Sequence, residues 1–475
     1  MGEEHTDYVR YDRKHVLTAS RRPRGQVLRG GEAPLENRES RTMTHIIIAA
    51  TPAYGHVAPL RTIAADLVRR GERVTFLTSS SFRASIEETG ARFAALPGEA
   101  DFDIAGLVAQ HPERAALQPG PEALAWDLTH VFIKPIPLQH AALQELLAEH
   151  EGEPTVVLHD TSYLGAMPMG LGAPGIRPAA VIGIGIVPLT MSSIDTAPFG
   201  LGLPPDSSSE GRARNIEANR AVQGALAEIQ NLARTTVHST GATEELPFFL
   251  DAAVTVPDRY LHLSIEDLEY PRSDAPASLR FVGAVPDERS TRPVALPEWW
   301  SEVQAAERVV AVTQGTIANH DLTELIEPAL EALADLDVLV VATLGRNARL
   351  ADVPANARVA EFIPFAELLP HTTVLVSNGG YGGVQQALWH GVPMVLAGQS
   401  EDKVEVTART AWAGAAINLA TQRPAVADIR KAVENVLDTP TYRERAVLLS
   451  AQYRKHDALT EIHASIGELI AQRGA

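Results

Sequence analysis

From His45 onward, short apolar runs alternate with longer segments in which apolar residues recur every three or four positions. "HIIIAATP" is the first such run, bounded by turn residues. "PLRTIAADLVRRG" follows, with Leu60, Ile63, Ala64, Leu67 and Val68 on one face and Gly71 at the C′ position, which predicts a helix from Pro59. "RVTFLT", a polar helical segment and "RFAALP" continue the pattern, and "PTVVLHD" and "AAVIGIGIVP" read as buried strands after a less regular region. Near Glu307 the alternation restarts. "RVVAVTQG", "DVLVVATL", "RVAEFIP", "TVLVSNGG", "PMVLAG" and "AAINL" are strand candidates, and "VADIRKAVENVL" carries Val426, Ile429, Val433 and Val436 in helical register.

Strands apolar on both faces, alternating with amphipathic helices, predict parallel sheets covered by helices. The expected fold class is α/β, with two doubly wound Rossmann-like domains facing each other across a cleft. The predicted boundaries are an extension 1–43, a first domain 44–285 and a linker 286–300, where "PDERSTRPVALPEWW" is rich in proline and charge. A second domain 301–445 and a C-terminal helix 446–475, packing back on the first domain, complete the chain. Ligands in such sheets sit beyond the carboxyl ends of the strands.

Composition narrows the partners. A chain of 475 residues exceeds one ordinary core. No apolar run approaches the ~20 residues that span a bilayer, and "PAAVIGIGIVPL" is short and broken by Gly and Pro, so stable membrane insertion is not expected. With 59 acidic against 41 basic residues the net charge is −18, which argues against nucleic acid as a partner. Cysteine is absent, which removes disulfides, thiolate chemistry and cysteine-bound zinc. Residues 1–43 are rich in Arg, Glu and Gly and lack the apolar stretch of a secretory signal; Met43 stands just before "THIIIAATP", so they read as an upstream extension. A cytoplasmic protein, monomeric or homodimeric, is expected.

"VSNGGYGGVQQALWHG" reads as strand, glycine-rich turn and helix, with Gly379, Gly380, Gly382 and Gly383 in five positions. Such a junction points backbone N–H groups, and the positive end of the helix dipole, at an anion. The competing reading is a tight turn that only brings helix against strand, and a positive φ at Gly382 would add strain to any substitution there. The spacing fits neither the dinucleotide nor the P-loop pattern. A second loop, "VTQGTIAN", offers Gln314, Gly315, Thr316 and Asn319 after another strand. Together the loops suggest a diphosphate site.

"SNGGYGGVQQALWHGVPMVLAGQSEDK" resembles the donor signature of the family 1 nucleotide-sugar glycosyltransferases, which have the two-domain GT-B fold. The resemblance runs from about Thr44 to about Leu437 and includes "TPAYGHVAPL" and "FVGAVP". It implies that Phe362 stacks on the nucleobase and that the Ile363 backbone pairs with the base edge. Asn378, Gly379, Gly380, Tyr381, Gly382 and Gly383 would line the phosphates, with a hydroxyl from Thr316. Gln386 falls on the ribose-binding Glu, and Asp402 and Lys403 on the pair that holds the sugar hydroxyls. The sequence departs from the family where Asn378 replaces a His, Gly383 a hydroxyl-bearing residue, Phe365 a Gln and Lys403 a Gln. Lys403 could return the positive charge that Asn378 lacks. UDP-glucose is the expected donor, and a deoxythymidine-diphosphate deoxysugar the alternative.

His56, in a loop after the first strand, and Asp160, at the end of another buried strand, suit a general base and its orienting carboxylate. His159 should point to the other side of the sheet. The resemblance supports the His56–Asp160 pairing and implies inverting, metal-independent transfer, without a cofactor, from a nucleoside-diphosphate sugar to a hydroxyl of an apolar small molecule. It places that acceptor near Trp126, His130, Phe132 and the region after Ile186. Asp101 and Asp103 in "DFD" invite comparison with the metal-binding D-x-D of GT-A enzymes, but read as a solvated acidic turn. A same-fold sugar-nucleotide epimerase and a non-catalytic nucleotide-sugar-binding protein remain as rival readings.

Overall fold

The computed structural model describes residues 44–117, 120–285, 295–315, 321–345 and 348–474. The extension 1–43, linker positions 286–294, Thr316 and Asn319 lie outside these residues. The first sheet comprises β1 (His45–Ala49), β2 (Arg73–Thr78), β3 (Arg92–Ala95), β4 (Thr155–Asp160), β5 (Ala180–Gly185), β6 (Arg259–His262) and β7 (Leu279–Phe281), in the order β3-β2-β1-β4-β5-β6-β7. The second comprises β8 (Val309–Thr313), β9 (Leu339–Thr343), β10 (Ala357–Ala360), β11 (Val374–Ser377), β12 (Met394–Leu396) and β13 (Ala416–Asn418), in the order β10-β9-β8-β11-β12-β13. Both sheets are parallel.

The central strands are buried on both faces, which is why they read as unbroken apolar runs. Ile46, Ile47 and Ile48 are wholly buried, and each such side chain contributes roughly 1.5–3 kcal/mol. Chain order reverses between β1 and β4 in one sheet and between β8 and β11 in the other. These are the switch points at which open α/β sheets take their ligands.

Four elements depart from the sequence pattern. The first helix runs Tyr54–Arg69, so it starts one turn before Pro59, which lies inside it. Val57 is buried and extends the apolar stripe toward the N-terminus. Its end follows the pattern: Gly71 has φ +93°, its N–H donates to the Val68 carbonyl, and the Glu72 N–H donates to that of Leu67. The short strands β6 and β7 lie between "AAVIGIGIVP" and Glu307, where the sequence pattern predicts no strand. Finally, position 446 lies within a helix, Pro440–Tyr453, whose Ala446, Leu449 and Tyr453 pack in the second core. The next helix, Ala458–Gly474, crosses back, burying Ile462 and Ile466 against Ile46 and Ile48. Trp300 and Val303, at the far side of the linker, already belong to the second core.

Candidate active site

At the first switch point, His56 Nδ1 lies 2.8 Å from Asp160 Oδ1. His56 is in the first turn of the Tyr54–Arg69 helix rather than in a loop, because the chain turns helical at once after extended Ala53. Asp160 is fully buried at the end of β4. Its carboxylate accepts hydrogen bonds from the Thr51 N–H (2.6 Å), the Thr51 hydroxyl (3.3 Å) and the Ser162 N–H (2.8 Å). Burial pushes this carboxyl up, but the His56 ring and the backbone donors outweigh it and hold Asp160 below the ordinary carboxylate range. An anionic Asp160 keeps the proton of His56 on Nδ1 and leaves the Nε2 lone pair for a proton from elsewhere.

His159, next along β4, donates from Nδ1 to the backbone carbonyl of Asp160 and is buried on the other face. The two carboxylates of "DFD" serve local backbone: Asp101 accepts from the Ser80 N–H, and Asp103 caps a helix through the Gly106 N–H.

At the second switch point the glycines divide into two kinds. Gly379 has φ +82°, and a Cβ there would stand 2.5 Å from Thr407 Cγ2, so this position is fixed by the fold. Gly380 is the N-cap of the Tyr381–Trp389 helix, and Gly382 and Gly383 lie in its first turn. The positive φ expected at Gly382 is therefore corrected: its backbone is helical. A Cβ at Gly380 or Gly382 would meet nothing within 4 Å, and at Gly383 only Phe365, at 3.4 Å. Close helix–strand packing thus does not explain the last three glycines. First-turn N–H groups lack intrahelical acceptors, and no side chain caps this helix. The result is an uncovered row of amides at the positive end of a helix.

The resemblance assigns further residues to the donor. Asn378 is buried and donates from Nδ2 to the Gln314 carbonyl (2.5 Å), tying the β11 loop to the β8 loop. The Tyr381 ring turns inward, with its hydroxyl 3.1 Å from His262 Nε2 of β6. Gln386 is half-buried one turn after Gly382. The Phe362 ring is 40% exposed, whereas the Ile363 side chain is buried. Thr316 lies outside the described residues.

Asp402 is the N-cap of the helix Lys403–Trp412. Burial pushes its carboxyl up to about 6, against smaller opposing effects of its own backbone, His56 and Arg409. Lys403 is turned elsewhere: its amine bonds Ser400 Oγ (3.3 Å) and Glu401, and burial lowers it to about 8. In the first domain, Trp126 of the helix Pro121–Asp127 and His130 of the following turn Leu128–Ile133 stack with ring centroids 4.3 Å apart, while Phe132 packs against an apolar cluster.

A family model described as erythromycin biosynthesis protein CIII-like, C-terminal domain, matches residues 327–469. UDP-glycosyltransferase 2 of Phaeomoniella chlamydospora is 48% identical over 438 residues, covering 90% of this chain and 96% of its own. The chain belongs to the family 1 glycosyltransferases. UDP-glucosyltransferase B1 of Starmerella bombicola is 37% identical over 436 residues, covering 89% of this chain and 98% of its own. The crystal structure of the kitacinnamycin glycotransferase shares the GT-B fold, with a TM-score of 0.68 at 22% identity over 90% of this chain and 99% of that one. The glycosyltransferase described here therefore transfers a sugar from a nucleotide donor to a small-molecule acceptor. Among its described residues, no helix is long and apolar enough to cross a membrane.

Two groups of the glycosyltransferase escaped the sequence reading. Thr51, whose N–H and hydroxyl both hold Asp160, was hidden within the first strand's "AATP" ending. A buried network of Glu269, Glu405 and Arg409 joins the domains. Glu269 and Arg409 are 140 residues apart in sequence, and no local motif marks them.

Proposed function

We propose that the protein is an inverting transferase that moves glucose from UDP-glucose to a hydroxyl of an apolar small molecule, with His56 as general base and Asp160 as its orienting partner. The 2.8 Å contact between the His56 ring and a carboxylate fixed by two backbone amides carries this reading. Nε2 takes the acceptor's hydroxyl proton as its oxygen bonds to C1 of the sugar and the C1–O bond to the diphosphate breaks. The charge that passes to the diphosphate is met by the amides of Gly380, Tyr381, Gly382 and Gly383 and by the helix dipole. No metal or other cofactor enters the step; the engagement of Asp101 and Asp103 with local backbone supports that choice. The UDP-glucosyltransferase name of the Starmerella relative supports the donor. Phe362 stacks on the base, and Asp402 accepts hydrogen bonds from the sugar. The acceptor sits against the Trp126–His130 pair and the segment after Ile186.

Nucleoside diphosphate release, measured across UDP and deoxythymidine-diphosphate sugars with phenolic acceptors, tests the reading. Glycoside formation from UDP-glucose that persists in excess chelator is expected. Turnover confined to deoxythymidine donors would reassign the donor. Loss on chelation with rescue by manganese would overturn the metal-free step. Epimerised donor without glycoside, or binding without turnover, would overturn the transfer reaction itself.

A further inference from the structure

Residues 186–208 leave the carboxyl end of β5, at the sheet edge that carries Asp160, and run to the helix Ser209–Ala225. The segment is secured to its own domain at several points. Asp195 accepts from the Ser273 N–H (2.7 Å) and Arg212 Nε (2.8 Å), and Asp206 donates its N–H to the Asp195 carbonyl (2.9 Å). Between these anchors the chain forms a strap, and the strap reaches the second domain. The N–H groups of Gly200 and Gly202 both donate to Glu405 Oε1, at 2.7 and 2.9 Å. Gly202 has φ +60°, and a Cβ there would approach Val404 Cγ1 to 2.8 Å and the Val404 carbonyl to 3.0 Å, so the strap lies flat on the first turn of the Lys403–Trp412 helix.

Glu405 is itself fixed. It is 3% exposed, and its other oxygen pairs with Arg409 on the same helix. Arg409 also holds Glu269 through Nε (2.9 Å), and Glu269 accepts from the Leu189 N–H (3.0 Å) at the start of the strap. The helix carrying Glu405 begins with Asp402 as its N-cap, one turn earlier. On either side of Gly202, Leu201 and Leu203 are 50% and 52% exposed.

We infer that Glu405 is a positioning residue of the transfer reaction: it hangs the apolar strap of the acceptor domain on the helix that presents Asp402 to the donor sugar. One buried carboxylate then sets the register between the wall offered to the acceptor and the group that holds the sugar. The inference rests on the proposed role of Asp402. It has a distinctive consequence, because a strap freed from the helix admits water where the acceptor belongs. Water then attacks C1 and passes its proton to His56 Nε2, the C1–O bond to the diphosphate breaks with its electron pair leaving on UDP, and free glucose is released with no glycoside formed.

The contact can be cut from either side, by Glu405→Gln on the helix or by Gly202→Val on the strap. Rates over a range of phenolic acceptor concentrations, free glucose against glycoside, and UDP affinity by calorimetry are measured for each variant. Loss of two charge-assisted hydrogen bonds should raise the acceptor KM about tenfold or more. The hydrolysed share of the donor should rise, while UDP affinity stays within about twofold of wild type. The double variant should be no worse than either single one, since both break one contact. Wild-type acceptor KM and hydrolysis share in both folded variants, or effects that add, would overturn the inference. If Glu405→Gln does not fold, Gly202→Val and the milder Gly202→Ala, which leave the Glu405–Arg409 pair intact, decide the question. Asp402→Asn, run in parallel, isolates the underlying reading: unchanged affinity for UDP-glucose relative to UDP would remove Asp402 from the sugar site whatever the strap variants do.

Discussion

The two switch points of this glycosyltransferase do their work by opposite means. At the first, the proposed chemistry lies in side chains: an imidazole beside a buried carboxylate that is held by backbone donors. At the second, it lies in backbone that side chains have vacated. Gly382 and Gly383 occupy a helix turn in which glycine costs roughly 0.5–1 kcal/mol relative to alanine, and a Cβ at Gly382 would meet no neighbour. Nothing in the packing asks for glycine at 382, so the reason must lie outside the fold. Asp160 is the reverse case, because the fold holds it and the proposed reaction leans on it.

The largest effect should come from the dyad. His56→Ala should lower turnover by ~10²-fold or more, the usual contribution of a general base, with UDP affinity unchanged in a calorimetric titration. Wild-type turnover at saturating substrate would remove His56 from the mechanism. Asp160→Asn should be slow as well, but it should also melt at lower temperature. Its amide would face the Thr51 and Ser162 N–H donors, a mismatch worth about 1–3 kcal/mol. A slow variant with wild-type melting would separate the two roles of Asp160.

The glycines sharpen the same contrast by stability alone. Gly379→Ala should destabilise by about 1–2 kcal/mol from its left-handed backbone, and by more from the collision with Thr407. Gly382→Ala should leave the melting temperature unchanged or raise it. Equal losses at both positions would mean that the whole stretch serves packing.

The smallest effect concerns protons. Burial raises Asp402 to about 6, so the folded chain holds this proton more tightly than the unfolded one. The stability it contributes is present below the unfolded value near ~3.9 and is lost as the pH rises through 6. Sugar hydroxyls donating to Asp402 favour the charged form, so UDP-glucose should release a fraction of a proton on binding near the raised pKa, and UDP alone should not. Binding enthalpies in buffers of different ionisation enthalpy measure this, and Asp402→Asn should abolish the difference.

What was legible follows from where the partners lie. The inner strands of the second sheet stood out because parallel strands covered on both faces are continuous apolar runs, and the half-buried edge strands β10 and β13 because each carries a short apolar stretch. β6, "RYLH", was missed because its polar residues are satisfied at long range: Arg259 pairs with Glu468 at 2.7 Å, and His262 meets Tyr381. Pro59 suggested a helix start because proline is common at the first helical position, yet here it lies a turn inside the helix. His56, Asp160 and the glycines stood out because each lies at or just beyond the carboxyl end of a strand within a short motif. The Glu405–Gly200 contact joins residues 205 positions apart, and no single stretch of sequence announces it.

The division of labour between the two switch points is tested most directly by titrating UDP, by calorimetry, into wild type, His56→Ala and Gly382→Val side by side. His56→Ala should bind UDP as wild type does while failing to turn over. Gly382→Val should melt close to wild type and bind UDP about tenfold or more weakly, because its side chain fills space that the diphosphate must enter. If folded Gly382→Val binds UDP like wild type, or if His56→Ala loses UDP binding, the nucleotide is not held by the amides at the second switch point.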